Sequence, residues 1–221
     1  MEIGFLFDFD GVVVESEPLH LETFREIVKP LGIEISDERW YREFVGVGSP
    51  HIMKTLLGEI GIKDENIIKK YVDERRDLFQ KRILEGKLQL KEGIEKFLQE
   101  VKKRNIKTAI VSGGHKENIK VALSILKLDN YFDIVVGRED YKKRKPDPEC
   151  YLVAAKKLNI SPTDCIAFED SLSGCLAAKA AKMKVVALEA PFDVEKGGCK
   201  TDLKIKNFVN KKVDFFIKLL K

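Results

Sequence analysis

Residues 3–11 read Ile-Gly-Phe-Leu-Phe-Asp-Phe-Asp-Gly. A short apolar, aromatic-rich run ends abruptly in acid and glycine, the pattern of a buried strand that stops at a turn. Asp8 and Asp10 stand two apart, so at a strand end both carboxylates point the same way. Crowding two carboxylates is costly unless a proton or cation lies between them. A divalent metal relieves that repulsion and leaves one carboxylate free to act as a nucleophile and the other to move a proton. An ordinary solvated Asp-Gly turn is the competing reading.

Working outward, comparable apolar runs occur at 108–111, 134–136, 165–168 and 184–188, with helical periodicity at 93–104, 116–127, 148–158 and 172–181. Strands alternating with helices of this length predict an α/β protein with a three-layer, parallel-sheet (Rossmann-like) core. Residues 18–84 break the alternation. Leu19, Phe24, Ile27 and Leu31, then Ile52, Leu56 and Ile60, then 71–84 follow helical spacing, and no strand is evident. The expected organisation is a core domain from 1–16 and 87–221, interrupted by an inserted α-helical cap domain at 17–86. Open α/β sheets place ligands at the carboxyl ends of their strands, where such an insertion would leave and return.

Composition narrows the function classes. At 221 residues and 44% hydrophobic, the chain can bury a real core. A net charge of +4 is spread over mixed positive and negative residues, so no nucleic acid partner is expected. Cys150, Cys165, Cys175 and Cys199 form no CxxC pair and have no nearby histidine cluster. They read as reduced thiols in a cytoplasmic protein, mostly in the core. The first apolar run is broken by Asp8 and Asp10, so neither a signal peptide nor a membrane association is expected.

Three further motifs carry chemistry. Val111-Ser112-Gly113-Gly114 places a hydroxyl and two glycines between a strand and a helix, a setting suited to cradling phosphate, although a plain helix cap is equally compatible. Lys145-Pro146-Asp147-Pro148 puts a lysine before a proline-restricted segment. Such a lysine can bridge a carboxylate nucleophile and a phosphate oxygen, or belong to a solvated basic loop with Lys142, Lys143 and Arg144. Phe168-Glu169-Asp170-Ser171 again ends an apolar strand in acid, as oxygen ligands for a hard cation or as an acidic helix start. In a parallel sheet these four motifs fall on one edge, where they can converge.

In this order the motifs Asp8-x-Asp10, Ser112, Lys145 and Glu169-Asp170 resemble those of the haloacid dehalogenase superfamily, in its helical-cap branch, over nearly the whole chain. The stretches DGVVVESEPLH, KPDPECY and FEDSLSG are similar to the β-phosphoglucomutase and sugar-phosphatase group. The resemblance implies that Asp8 attacks phosphorus to form an aspartyl-phosphate. Asp10 would serve as acid and then base, and Ser112, Gly113 and Lys145 would hold the phosphoryl oxygens. It implies a Mg²⁺ cofactor with Asp8, Asp10, Glu169 and Asp170 as metal residues, Glu169 either direct or one shell out. The substrate would be a small phosphorylated metabolite, and the protein is expected to be a monomer. Because dehalogenases of the superfamily lack an Asp at the second position, Asp10 selects phosphate-ester chemistry.

Two departures matter. Glu15 replaces the usual Asp before Ser16. In the loop 44–51, where the mutases are expected to carry Gly-x-Ser-Arg, this chain has Pro50 and His51 after Gly48 and Ser49. The missing arginine favours a phosphatase over a phosphomutase, with Arg39, Arg42, Arg75 and Arg76 as candidates to supply one from elsewhere. His20, Gly46, Ser49 and His51 are the candidate substrate residues of the insertion. A non-enzymatic binding or regulatory module is the remaining alternative, and it would be favoured by loss of a motif residue. None is lost.

Overall fold

The computed structural model describes residues 2–190 and 193–220. The chain divides into two compact units, Met1–Glu15 with Gln89–Lys221, and Ser16–Leu88.

Among the described residues the larger unit has eight strands: β1 Gly4–Phe7, β2 Val14–Glu15, β3 Gln89–Leu90, β4 Lys107–Val111, β5 Ile134–Val136, β6 Cys165–Glu169, β7 Lys184–Leu188 and β8 Leu203–Ile205. Six of them form one sheet in the order β5-β4-β1-β6-β7-β8, with every pairing parallel. Strand β1 is central because all four of its residues are buried, as befits a strand covered on both faces. From β1 the chain builds outward through β4 and β5 on one side, then returns to β6, β7 and β8 on the other. Strand β1 therefore lies at the point where strand order reverses, and Asp8 follows it directly.

The two faces of β1 are separated by side-chain alternation. Phe5 and Phe7 point to one face, into a cluster with Phe97, Phe168, Phe208 and Phe216; the Phe7 and Phe168 rings stack at 4.6 Å. Phe97 comes from α5 (Ile94–Lys103), whose buried Ile94, Phe97, Leu98 and Val101 fall at helical spacing, and Phe216 from α9 (Val213–Ile217). Leu6 points the other way, into a core with Ala109, Val111 and Ala167. Residues of α7 (Glu149–Leu158) and α8 (Leu172–Ala180) line that core. Burying each such phenylalanine stabilises the fold by about 2 kcal/mol. A further helix, α6 (Lys116–Ile125), follows β4.

Strand β8, helix α9 and the antiparallel β2–β3 pair are additions to the expected elements. Strand β8 leaves no apolar run in the sequence because it is a three-residue edge strand with Lys204 at its centre, a charge that protects an exposed edge. All four cysteines are buried and unpaired as disulfides. Among the described residues, no helix is long and apolar enough to cross a membrane.

The smaller unit is helical: α1 Glu17–Val28, α2 Asp37–Arg39, α3 Ser49–Glu59 and α4 Glu65–Leu84. Ser36 and Asp64 cap α2 and α4 by accepting backbone N–H bonds. Phe24, Trp40, Met53 and Leu56 form its interior. Ile60, which helical spacing put on the buried face with Ile52 and Leu56, is 45% exposed because α3 ends at Glu59.

Candidate active site

The ladder carries Asp8 past the end of β1: its N–H donates to the Phe168 carbonyl at 2.9 Å. The chain then curls back, with Gly11 donating to Val14 and Val14 to Phe9. Gly11 has a φ of +71°, and a Cβ there would lie 1.9 Å from an Asp170 carboxylate oxygen. Only glycine permits both the turn and the approach of Asp170.

Lys145 ties three strand ends together. Its ammonium donates to Asp8 Oδ1 at 3.2 Å, to the Val111 carbonyl at 3.1 Å and to Glu169 Oε1 at 2.6 Å. The loop reaches this point through a cis Lys145–Pro146 bond. Ser112, next to Val111, is buried. Its hydroxyl accepts the Gly114 N–H at 3.0 Å, leaving the hydroxyl proton to donate, and its carbonyl accepts from Tyr141. Gly113 is exposed beside it.

Glu169 is completely buried at the end of β6. Besides Lys145 it receives the Tyr151 hydroxyl at 2.7 Å and, on the other oxygen, the Ser171 hydroxyl at 3.0 Å and N–H at 3.3 Å. One carboxylate oxygen each of Asp8, Glu169 and Asp170 lie within 4.8 Å of one another.

Charge does not balance in this cluster. Burial pushes Asp8 up to about 7, against the lowering effect of Lys145, while Glu169 and Asp10 push it further. Burial, then Asp8, Glu169 and Asp10, holds Asp170 well above the usual carboxylate range. Burial alone would lower the Lys145 ammonium, but Asp8 and Glu169 outweigh it and drive the group upward. Several carboxylates facing one ammonium favour a bound proton or a further cation, and the donor set is the all-oxygen type that suits Mg²⁺. The residues fit such an ion.

Within the helical unit, Arg75 is the arginine turned inward, at 4% exposure. It donates to Thr23 Oγ1 at 3.1 Å and Ser49 Oγ at 3.3 Å, contacts His20 Nδ1, and lies 4.6 Å from the ring centres of both Phe24 and Phe79. A guanidinium can only donate, so Nδ1 accepts and the His20 proton sits on Nε2. Burial and the Arg75 charge push His20 down to about 3, and its ring stacks on Phe79. Arg39, Arg42 and Arg76 instead pair with Glu43 and Glu59, Glu38 and Glu43, and Asp73 and Asp77. Gly46 and His51 are exposed and do not join the His20–Arg75–Ser49 group.

The sequence pattern marks neither Tyr151 nor the Val111 carbonyl, and Arg75 is one of four candidate arginines in it. Tyr151 lies within the KPDPECY stretch, three residues after Pro148, and only the fold shows that this helical position aims its hydroxyl at Glu169. The carbonyl carries no sequence signal at all.

Known proteins resemble this chain in sequence and in fold. The family profile described as haloacid dehalogenase-like hydrolase matches residues 5–188. A phosphorylated carbohydrates phosphatase of Thermotoga maritima is 33% identical over 178 residues, 80% of each chain. Among solved structures, a family IA HAD hydrolase from Entamoeba histolytica superposes with a TM-score of 0.85 at 27% identity, covering 100% of this chain and 99% of that one. The β-phosphoglucomutase of Clostridium difficile gives 0.81 at 26%, covering 100% and 97%. With Asp8 at the strand-order reversal, Lys145 joining three strand ends and a profile match across most of its length, this chain belongs to the haloacid dehalogenase-like hydrolase family.

Proposed function

We propose that the protein is a Mg²⁺-dependent phosphatase of small phosphorylated metabolites, sugar phosphate or phosphoglycolate in type, working through an aspartyl-phosphate on Asp8. The observation that carries this reading is Lys145, whose ammonium steadies Asp8 at the switch point of the sheet beside further carboxylates that a divalent cation would balance.

Asp8 attacks phosphorus in line while Lys145 steadies its carboxylate. Ser112 has a hydroxyl proton available for a phosphoryl oxygen, with the Gly113 backbone beside it. All three Lys145 N–H groups are already engaged, so a substrate oxygen exchanges with one of these acceptors on binding. Asp10 gives a proton to the leaving oxygen and then takes one from the water that hydrolyses the phosphoenzyme. Asp8, Asp170 and Asp10 would hold Mg²⁺, which neutralises charge on the transferring group when bound. The inserted unit is assigned the part of a cap selecting the substrate, with His20, Ser49, Gly46 and His51 as its candidates. The relatives named as phosphatases, and the absence of an arginine after Ser49, support water rather than sugar as acceptor.

The test is release of inorganic phosphate from an aryl phosphate and a panel of phosphorylated metabolites with Mg²⁺. Phosphate release by the wild type and none by Asp8→Asn is expected. Isomerised sugar phosphate without net phosphate release would mean a mutase, and an active Asp8→Asn would end the mechanism.

A further inference from the structure

We infer that Tyr141 is a positioning residue for phosphate: its hydroxyl holds the Ser112 carbonyl and so orients the Gly113 N–H as a phosphate donor. This rests on the phosphoryl-transfer reading above and deepens it, by naming the group that sets the backbone donor.

The Ser112 carbonyl and the Gly113 N–H belong to one peptide plane. That peptide is not cis, so the two groups point in opposite directions. Whatever fixes the carbonyl therefore fixes the N–H. Tyr141 does this from 29 residues along the chain, its hydroxyl donating to the Ser112 carbonyl at 3.1 Å. Tyr141 and Ser112 are both buried, so water competes little for the carbonyl. Burial also pushes the phenol upward, which keeps its proton in place. The other backbone donors of the loop are committed. The Ser112 N–H goes to the Val136 carbonyl at 3.0 Å, and the Gly114 N–H to Ser112 Oγ at 3.0 Å. Among the described residues nothing accepts the Gly113 N–H. It is the backbone donor left for an anion.

An anchor matters here because glycine follows the peptide. Flipping the 112–113 peptide turns ψ of Ser112 and φ of Gly113 by about half a turn, towards a positive φ that glycine adopts at little cost. Gly113 lies outside that region in the structure. Tyr141 is itself held in place. Arg138 Nη1 donates to the Tyr141 carbonyl at 2.7 Å, and the guanidinium carbon lies 5.2 Å from the Tyr141 ring centre. The Arg138 N–H also donates to the Gly114 carbonyl at 2.8 Å. The turn after β5 thus grips the loop on both sides of Gly113. Tyr141 acts on phosphate only through this peptide.

The test is calorimetric titration of inorganic phosphate into the Mg²⁺-saturated protein, beside titration of Mg²⁺ alone, for the wild type and Tyr141→Phe. Losing the hydrogen bond to a buried carbonyl should weaken phosphate binding about 5- to 30-fold and leave Mg²⁺ affinity within about threefold. Phosphate affinity within about threefold of wild type, or a parallel fall in both affinities, would overturn the role, whatever the melting temperature does. Gly113→Ala gives a second readout, because a Cβ there meets nothing within 4 Å yet disfavours the flipped peptide. In that background the loss caused by Tyr141→Phe should be at least about threefold smaller, and an equal loss in both backgrounds would overturn the inference. In the wild type, NMR should show the Gly113 amide proton moving downfield as phosphate binds. An unmoved amide with phosphate bound overturns the inference even if no variant folds. A wild type that binds phosphate but releases none from any ester refutes the hydrolytic reading alone. One that binds no phosphate overturns the role of Tyr141.

Discussion

Replacing Lys145 by methionine removes the cation that joins β1, β4 and β6 and keeps most of its apolar stem. Breaking a buried ion pair from one side costs about 3–5 kcal/mol, and here both Asp8 and Glu169 lose their partner. For a chain of this size that corresponds to a fall in Tm of roughly 6–20 °C. The loss should depend on pH with a definite sign. Asp8 already has its folded-state pKa raised from 3.8 to about 7 with Lys145 opposing the rise, so the variant raises it further. A raised folded pKa means that stability declines as pH climbs through the window above the unfolded value. In the wild type that decline ends near pH 7, whereas in the variant it continues. The gap between the two proteins should therefore widen above pH 7, by about 1.4 kcal/mol per pH unit until the variant's own pKa is passed. Thermal denaturation in EDTA at about pH 6 and about pH 9 measures it. A Tm deficit that is equal at both pH values, or below about 2 °C, would refute the electrostatic account of Lys145.

Three other outcomes are expected. Mg²⁺ should raise Tm by about 5–10 °C near pH 8 when present at about a hundred times its Kd, and by much less near pH 5, where the ion must displace the proton that the raised pKa keeps on Asp8; scanning calorimetry with and without EDTA checks this. Gly174→Ala should lower kcat more than about a hundredfold, because its Cβ would occupy the Glu169 carboxylate and force Lys145 to move; kinetics beside a near-UV circular dichroism spectrum separates this from unfolding. Arg75→Met should destabilise the helical unit by about 2–4 kcal/mol, since Thr23 and Ser49 lose a buried donor. It should also let His20 titrate upward from about 3, with burial still holding it below its usual value; chemical unfolding and NMR titration read the two effects.

How much of this was legible in the sequence depends on the kind of signal. The central strand was legible because Ile3 to Phe9 is apolar, aromatic and ends in Asp-Phe-Asp-Gly, a change of composition that marks the strand end itself. The convergence of Asp8, Lys145, Glu169 and Asp170 followed from topology once parallel strands were read, since parallel strands share a carboxyl edge. Strand β8 was not legible, because Lys204 interrupts a run of only three residues at a sheet edge. Nor was the choice among arginines. Arg75 and Arg76 are neighbours with the same chemistry, and only the helical phase of α4 turns Arg75 inward while Arg76 meets Asp73. Tyr151 illustrates the same limit, because an aromatic on a helix normally reads as core, and core it is; its hydroxyl gains meaning only from Glu169, 18 residues further along the chain.

The most direct test of the central claim is rapid quenching of the enzyme during turnover of an isotopically labelled phosphate ester, followed by peptide mapping of acid-stable label. The account predicts an acyl-phosphate on the peptide carrying Asp8, formed and lost at rates compatible with turnover, and absent from Asp8→Asn. Steady phosphate release with no labelled enzyme, or label on any residue other than Asp8, would contradict it.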